Sequence, residues 1–154
     1  SFDGDALPVS RQTLISAGTL DSWLLDLSSA KQLGLPSTGN ARRSLANPPS
    51  PGTSNLILEN GALSLEELIA DIEEGFFVTE LMGSSVSLIT GDYSRGAGGF
   101  WIENGQITWP VGEATIAGNL KDMFMGMVPA NDPDLTSSTI VPSIRVDHMM
   151  VAGS

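Results

Sequence analysis

The sequence predicts an α+β fold, mainly antiparallel β in a barrel- or sandwich-like arrangement with two or three short helices, formed as one domain over residues 1–154. Three observations carry that expectation. An Asn104-Gly105 pair stands between two runs rich in aromatic and β-branched residues, Phe100-Trp101-Ile102-Glu103 and Gln106-Ile107-Thr108-Trp109. Both turn residues tolerate the positive φ of a type I′ hairpin. From Phe76 onward, short apolar runs punctuated by glycine dominate, while helical spacing is confined to a few stretches, the clearest at Leu65, Leu68, Ile69 and Ile72.

Taken in order, Leu14 to Leu27 reads as extended, with Ala17-Gly18 as a turn, and Ser28-Ser29-Ala30-Lys31-Gln32-Leu33 as a short helical stretch ended by Gly34. Pro36 to Ser54 contains Pro36, Gly39, Pro48, Pro49, Pro51 and Gly52 and predicts a long loop, of the kind that is functional or straps domains together. Asn55 to Glu59 is a strand closed by Asn60-Gly61. Ser64 caps the next helix, Glu67 completes a capping box and Gly75 is placed to stop it, with Glu66, Glu67, Glu73 and Glu74 on solvated faces. Phe76 to Leu81 is a strand that Gly83-Ser84-Ser85 separates from a second, Val86 to Thr90. Gly96-Ala97-Gly98-Gly99 reads as a bulge or a close backbone approach leading into the hairpin. Pro110 limits the second hairpin strand to an edge or an end. Ala114 to Ala117 is a further strand, Asn119 caps a helix from Leu120 to Met127, and Thr139 to Val151 forms one or two strands broken near Pro142.

Seven Lys plus Arg against 18 Asp plus Glu give a net charge of −11, with no cysteine and one histidine. Disulfides, thiolate metal sites and thiol nucleophiles are excluded at once, and so is a two-histidine zinc motif within this chain. Hydrophobic residues at 41% with 16% charged suffice for a core. Residues 1–50 hold Asp3, Asp5, Asp21 and Asp26 against Arg11, Lys31, Arg42 and Arg43, so the remainder supplies all of the −11. From Asn55 to Glu80 seven carboxylates occur without one Lys or Arg. Such a surface repels phosphates, so direct nucleic-acid binding is not expected. No run approaches the ~18 to 20 apolar residues of a membrane span, and Ser1-Phe2-Asp3-Gly4-Asp5 has no signal-peptide character. The expectation is a soluble cytoplasmic domain and, since Met does not begin it, a piece of something longer.

No constellation for catalysis assembles from the residues alone. His148 is the single imidazole, and its neighbour Asp147 would point to the opposite face of a terminal strand. Ser28-x-x-Lys31 matches a Ser-Lys pattern without its accompanying elements, and Ser94 does not stand in a G-x-S-x-G elbow. The glycine cluster lacks the Lys-Ser/Thr of a phosphate loop. Asp132 and Asp134 in a Pro-interrupted turn match a calcium loop poorly.

Several stretches in order nonetheless resemble one family. Leu25-Asp26, Ala30-Lys31-Gln32-Leu33-Gly34-Leu35 and Ser37-Thr38-Gly39-Asn40-Ala41-Arg42-Arg43 are similar to a D-x-x-x-A-x-x-L-G-x-x-x-T-G-N-x-R-R segment of the TldD/PmbA proteins, also called modulators of DNA gyrase. Pro51-Gly52-Thr53-Ser54-Asn55, Glu67-Leu68-Ile69, Glu74-Gly75, Phe100 to Gly105, Pro110-Val111 and Ala114 to Asn119 continue the likeness over nearly the whole chain, to the C-terminal domain of longer proteins. The resemblance implies that TldD-type subunits carry H-E-x-x-x-H upstream and complete their zinc site with a cysteine near the Asp134 to Val141 connection. Lacking cysteine, this chain resembles the PmbA, or TldE, branch. The branch implies a non-catalytic partner of a TldD-like subunit in a heterodimeric metallopeptidase acting on peptide or unfolded-protein substrates. No catalytic residue and no metal ligand is then expected here, and zinc belongs to the partner. Thr38, Gly39, Asn40, Arg42 and Arg43, with Gly91, Asp92, Gly98, Gly99 and the rest of the span between Gly91 and Gly99, become substrate-path or interface positions. As turn residues that hold the fold they carry an equal claim. A regulatory module acting on another assembly, such as DNA gyrase, is the alternative.

Overall fold

A computed structural model describes residues 1–153, without the side chain of Ser84. Two units make up the chain, Ser1–Leu56 and Ile57–Ser154.

In the first unit, side-chain bonds to backbone tie short elements together around buried Leu25, Ala30 and Ala41. β1 (Ile15–Ser16) and β2 (Thr19–Leu20) pair across Ala17 and Gly18, whose φ values of 48° and 78° are the left-handed pair a two-residue hairpin requires. In α1 (Leu27–Leu33) the Asp26 carboxylate accepts from the Ser29 N–H at 2.7 Å, and Gly34 ends the helix at φ 68°. This cap starts the helix one residue before the expected Ser28. The expected irregular stretch from Pro36 to Ser54 contains a ladder, β3 (Ala41–Arg42) paired with β4 (Ser50–Pro51). The N–H of Gly52 donates to Asn40 O at 2.9 Å, next to the donor that Pro51 lacks. Asp3 completes the frame by accepting from Asp5, Leu7 and Ala41 N–H at 2.9 to 3.0 Å. Burial raises the affinity of its carboxyl for a proton, but these three bonds outweigh burial and hold its pKa below the ordinary value.

The second unit is organised by one sheet. After β5 (Leu56–Ile57) at the boundary come α2 (Leu65–Ile69), β6 (Glu74–Val86), β7 (Asp92–Glu103), β8 (Gln106–Asn119) and α3 (Leu120–Gly126). Four short strands follow, β9 (Val128–Pro129), β10 (Thr139–Ile140), β11 (Ile144–Arg145) and β12 (Met150–Gly153). β12, β8, β7 and β6 pair antiparallel in that order, and β9 pairs with β11. The α+β expectation holds, with this sheet open and not closed into a barrel.

Local signals placed several elements correctly. Asn104 (φ 50°) and Gly105 (φ 75°) join Glu103 to Gln106, and Trp101 stacks on Trp109 across the hairpin at 6.5 Å between ring centroids. Ser64 and Glu67 form the reciprocal capping box. The Asn119 side chain accepts from Lys121 N–H at the start of α3.

Other expectations are corrected. α2 ends at Ile69, and Gly75 lies inside β6; a Cβ on Gly75 would stand 2.8 Å from Ile72 Cγ2, so glycine lets the turn after the helix close onto the strand. Gly83 does not end a strand: at φ 65° it allows a register shift between Met82 and Ser85 while β6 continues to Val86. The expected strand from Val86 to Thr90 is instead largely the β6–β7 turn, closed by Ser87 N–H to Asp92 O and Gly91 N–H to Ser87 O. Pro110 lies within β8 opposite Phe100. It is tolerated because β12 pairs only with Ala114 to Ala117, which leaves Pro110 on an edge, as one of its two expected positions required. The segment from Thr139 onward makes three short strands, and His148 stands outside all of them in a bend at φ 60°.

Candidate functional site

One face of the sheet and the two helices packed on it enclose an open, mainly apolar groove of about 470 Å³. Leu65, Leu68 and Ile69 of α2 form one wall, which the capping box orients by fixing the start of that helix. Phe76, Val78, Ile102 and Ile116 contribute from the sheet. Leu120, Met123 and Phe124 of α3, with Met127 and Met149 beyond it, form the opposite wall. Phe124 is 66% exposed, so its ring remains available to an occupant. Composition carried a signal for this wall, because five of the six methionines fall between residues 123 and 150, but helical periodicity did not use it.

Beside the end of α2 lies a polar cleft lined by Asp71, Glu73, Glu74, Glu103, Asp147 and His148. Arg145 crosses it and donates to Leu68 O at 2.9 Å, to Asp147 at 2.8 Å and to Asp71. Bonding to Asp147 and then to Asp71 raises the Arg145 pKa, and the same guanidinium lowers that of Asp71. Arg145 therefore ties β11 to the C-terminal end of α2, where the helix carbonyls need donors.

The residues singled out from sequence fall into two groups, one in each unit. Thr38 Oγ1 accepts from Leu25 N–H at 2.8 Å and lies 3.1 Å from Trp23 O and 2.7 Å from Asn40 Oδ1. Gly39 is buried at φ 69°, and a Cβ there would come within 2.7 Å of Pro8 O. Arg42 donates to Thr53 O at 2.7 Å and Arg43 to Gly4 O at 3.2 Å, both from exposed positions. In the second unit, Gly91 (φ 81°) faces Asn119 across a gap with no room for a Cβ, and its carbonyl accepts from Leu120 N–H. Asp92 accepts from Thr90 Oγ1 at 2.6 Å. Gly98 and Gly99 form the expected bulge and close approach, with a register shift between Ala97 and Gly99. A Cβ on Gly99 would lie 2.0 Å from Phe77 O.

The remaining candidates have local partners or none. Asp132 accepts from both N–H and Oγ of Ser143 at 2.8 Å, and Asp134 from Thr136. These bonds, led in each case by the side-chain hydroxyl, lower both pKa values. Ser28 and Lys31 are exposed on α1, and Ser94 lies within β7. Among the described residues no three His, Asp or Glu side chains converge as metal ligands, and cysteine is absent from the sequence.

The sequence profile of the PmbA/TldA metallopeptidase C-terminal domain matches residues 1–153. The chain is 44% identical to the metalloprotease PmbA of Escherichia coli over 99% of its own length and 32% of that protein's, so it spans about a third of that curated relative. The crystal structure of TldE from Thermococcus kodakarensis superposes with a TM-score of 0.87 at 27% identity, over 99% of this chain and 36% of that one. A modulator of DNA gyrase from Bacteroides thetaiotaomicron superposes with a TM-score of 0.82 at 34% identity, over 99% and 33%. The order of motifs, the open antiparallel sheet with its capped helices and these likenesses agree, and the chain belongs to the PmbA/TldD metallopeptidase family, as its C-terminal domain.

Proposed function

We propose that the full-length protein is the PmbA/TldE-like subunit of a heterodimeric zinc metallopeptidase, in which residues 1–154 act as one domain that shapes the peptide path and the subunit interface. The observation that supports this most is the contrast between core and surface. Most buried apolar side chains are alanines (Ala30, Ala41, Ala97, Ala114, Ala130), while Leu88 and Ile89 at the β6–β7 turn are 89% and 98% exposed. Uncovered apolar surface of this kind is the mark of a chain that packs against other protein.

In this reading the zinc resides in a TldD-like partner, and this domain contributes neither ligand nor catalytic residue. The substrate is a peptide or unfolded-protein segment in extended form; the outer edge of β6, unpaired among the described residues, suits strand addition. Thr38, Gly39, Asn40, Arg42 and Arg43, and Gly91, Asp92, Gly98 and Gly99, then border the path or the interface while also holding their turns. The setting is cytoplasmic, with neither nucleic acid nor membrane as partner; no helix among the described residues is long and apolar enough to cross a membrane. The test is purification of the full-length protein from cells: a TldD-like subunit accompanies it, and peptide hydrolysis requires both subunits and is lost on chelation. Hydrolysis by this protein alone would sink the proposal. The name carried by the Bacteroides relative favours a second reading, a module that modulates DNA gyrase. Altered supercoiling activity on adding this protein without a partner would support it instead.

A further inference from the structure

In the second unit the lengths of sheet and helices do not match. At ~3.3 Å per residue the 12 and 14 residues of β7 and β8 run for about 40 and 46 Å. At ~1.5 Å per residue the 5 and 7 residues of α2 and α3 run for about 8 and 11 Å. The two helices are too short to span the sheet, and the groove of about 470 Å³ lies among them, the sheet and the segment carrying Ile144 and Val146. An α+β layer is completed when a helix lies on the open face of its sheet. The wall formed by Met123, Met127 and Met149 is pliable, which suits apolar anchors of varied shape.

Charge selects the occupant. Exposed carboxylates flank the lining positions in sequence: Glu66 and Glu67 on α2, Glu80 on β6 and Asp122 on α3. Of the cations nearby, Arg145 is already bonded to Asp71 and Asp147, and half-buried Arg95, opposite Ile116, donates to Gly83 O, which leaves Lys121 as the exposed one. The region after residue 50 carries the whole net charge of −11. We infer that this groove docks an amphipathic helix of another polypeptide, one whose apolar anchors are flanked by Lys or Arg. A second copy of this chain is disfavoured as occupant, because its own amphipathic helix α2 carries Glu66 and Glu67 and would meet like charge.

The full-length protein is titrated against three fluorescent peptides of about four helical turns. The first has Leu at i, i+3, i+4 and i+7 with Lys flanks; the second replaces Lys by Glu; the third keeps Lys and replaces Leu by Ser. Anisotropy is expected to show the first binding at least tenfold more tightly than the others, and weakening as salt is raised to physiological strength. Phe124→Ala is expected to weaken that binding about tenfold. Met125→Ala changes it less than twofold, since Met125 lies on the same helix, 83% exposed, and does not line the groove. Phe124 is exposed enough for its truncation to leave the fold intact, which circular dichroism checks. Equal binding of the Glu-flanked or Ser peptide, an unaffected Phe124→Ala variant, or no binding at all would overturn the inference. So would self-association that Phe124→Ala abolishes, since it assigns the groove to a second copy. The readout is equilibrium binding and needs no metal or hydrolysis, so its failure leaves the metallopeptidase reading standing, and the converse holds.

Discussion

Gly99→Ala separates the two roles open to the glycine cluster. The Cβ it adds would lie 2.0 Å from Phe77 O and 3.1 Å from Thr79 N, and real Cβ contacts essentially never fall below 3.0 Å. The obstacle is backbone of the neighbouring strand, which cannot rotate away, so β6 and β7 must part by about 1 Å at a point where Gly99 pairs with Val78 on one side and Val111 on the other. Overpacking typically costs about 1–3 kcal/mol, and disturbance of a ladder hydrogen bond adds about 1 kcal/mol, so roughly 3 kcal/mol is expected. For a chain of this length that lowers the Tm by about 6–12 °C in calorimetry. Gly112→Ala is the control in the adjacent strand: a Cβ there meets nothing within 4 Å and the backbone is not left-handed. It should be neutral or stabilise by about 0.4–1 kcal/mol through the unfolded state. A Tm for Gly99→Ala within about 2 °C of the parent would refute the steric account; loss of peptide hydrolysis at unchanged Tm would then assign Gly99 to the substrate path.

Three further outcomes are expected. Ser64→Ala removes the oxygen that accepts from Glu67 N–H and should cost about 1 kcal/mol, whereas Ser64→Gly should cost a few tenths, as urea denaturation can show. Gly105→Ala forces an L side chain to φ 75° and sets its Cβ 2.5 Å from Ala70 O, so about 2 kcal/mol is lost and the hairpin carrying Trp101 and Trp109 loosens, readable in tryptophan fluorescence. The pH dependence follows from Asp71, whose folded pKa lies below its unfolded value of 3.8 because Arg145 bonds its charged form. The unfolded chain takes up this proton first, so the contribution is fully present above that value and is lost as pH falls through the folded pKa. Asp71→Asn should reduce the acid slope of the denaturation midpoint below about pH 4, and an unchanged slope would contradict the assigned bond.

Elements written in local chemistry were legible, and elements decided by pairing were not. Ser64 with Glu67, and Asn119, bond backbone N–H groups within three residues, and Asn104-Gly105 supplies the positive φ values of its own turn, whose N–H groups then donate to Glu73 O and Ile72 O. Leu88 and Ile89 misled because an alternating apolar run implies a buried face, yet here they sit at a turn tip whose bonds are set by Ser87, Gly91 and Asp92. Gly83 misled in the opposite direction: a glycine that ends a strand and one that bulges it are the same letter, and only the partner register distinguishes them. The groove was invisible for a related reason. Its walls come from α2, the sheet, α3 and Met149, which no window of sequence brings together, although the clustering of methionine after residue 122 was open to view.

The identities of the buried residues connect these points to function. Ala97 is fully buried in β7 between β6 and β8, opposite Leu81 on one side and Ala114 on the other, and Gly98 and Gly99 follow it. Small residues there let strands approach closely, but they bury little apolar area, about 25 cal/mol for each Å² withdrawn from water. The apolar area that could do more, on Phe124, Leu88 and Ile89, faces outward. On the proposed reading this surface is kept for association, so binding of a partner that covers these residues should raise the Tm, and go on raising it with the logarithm of partner concentration. On that reading, the stability of this domain and its association rest on the same exposed side chains.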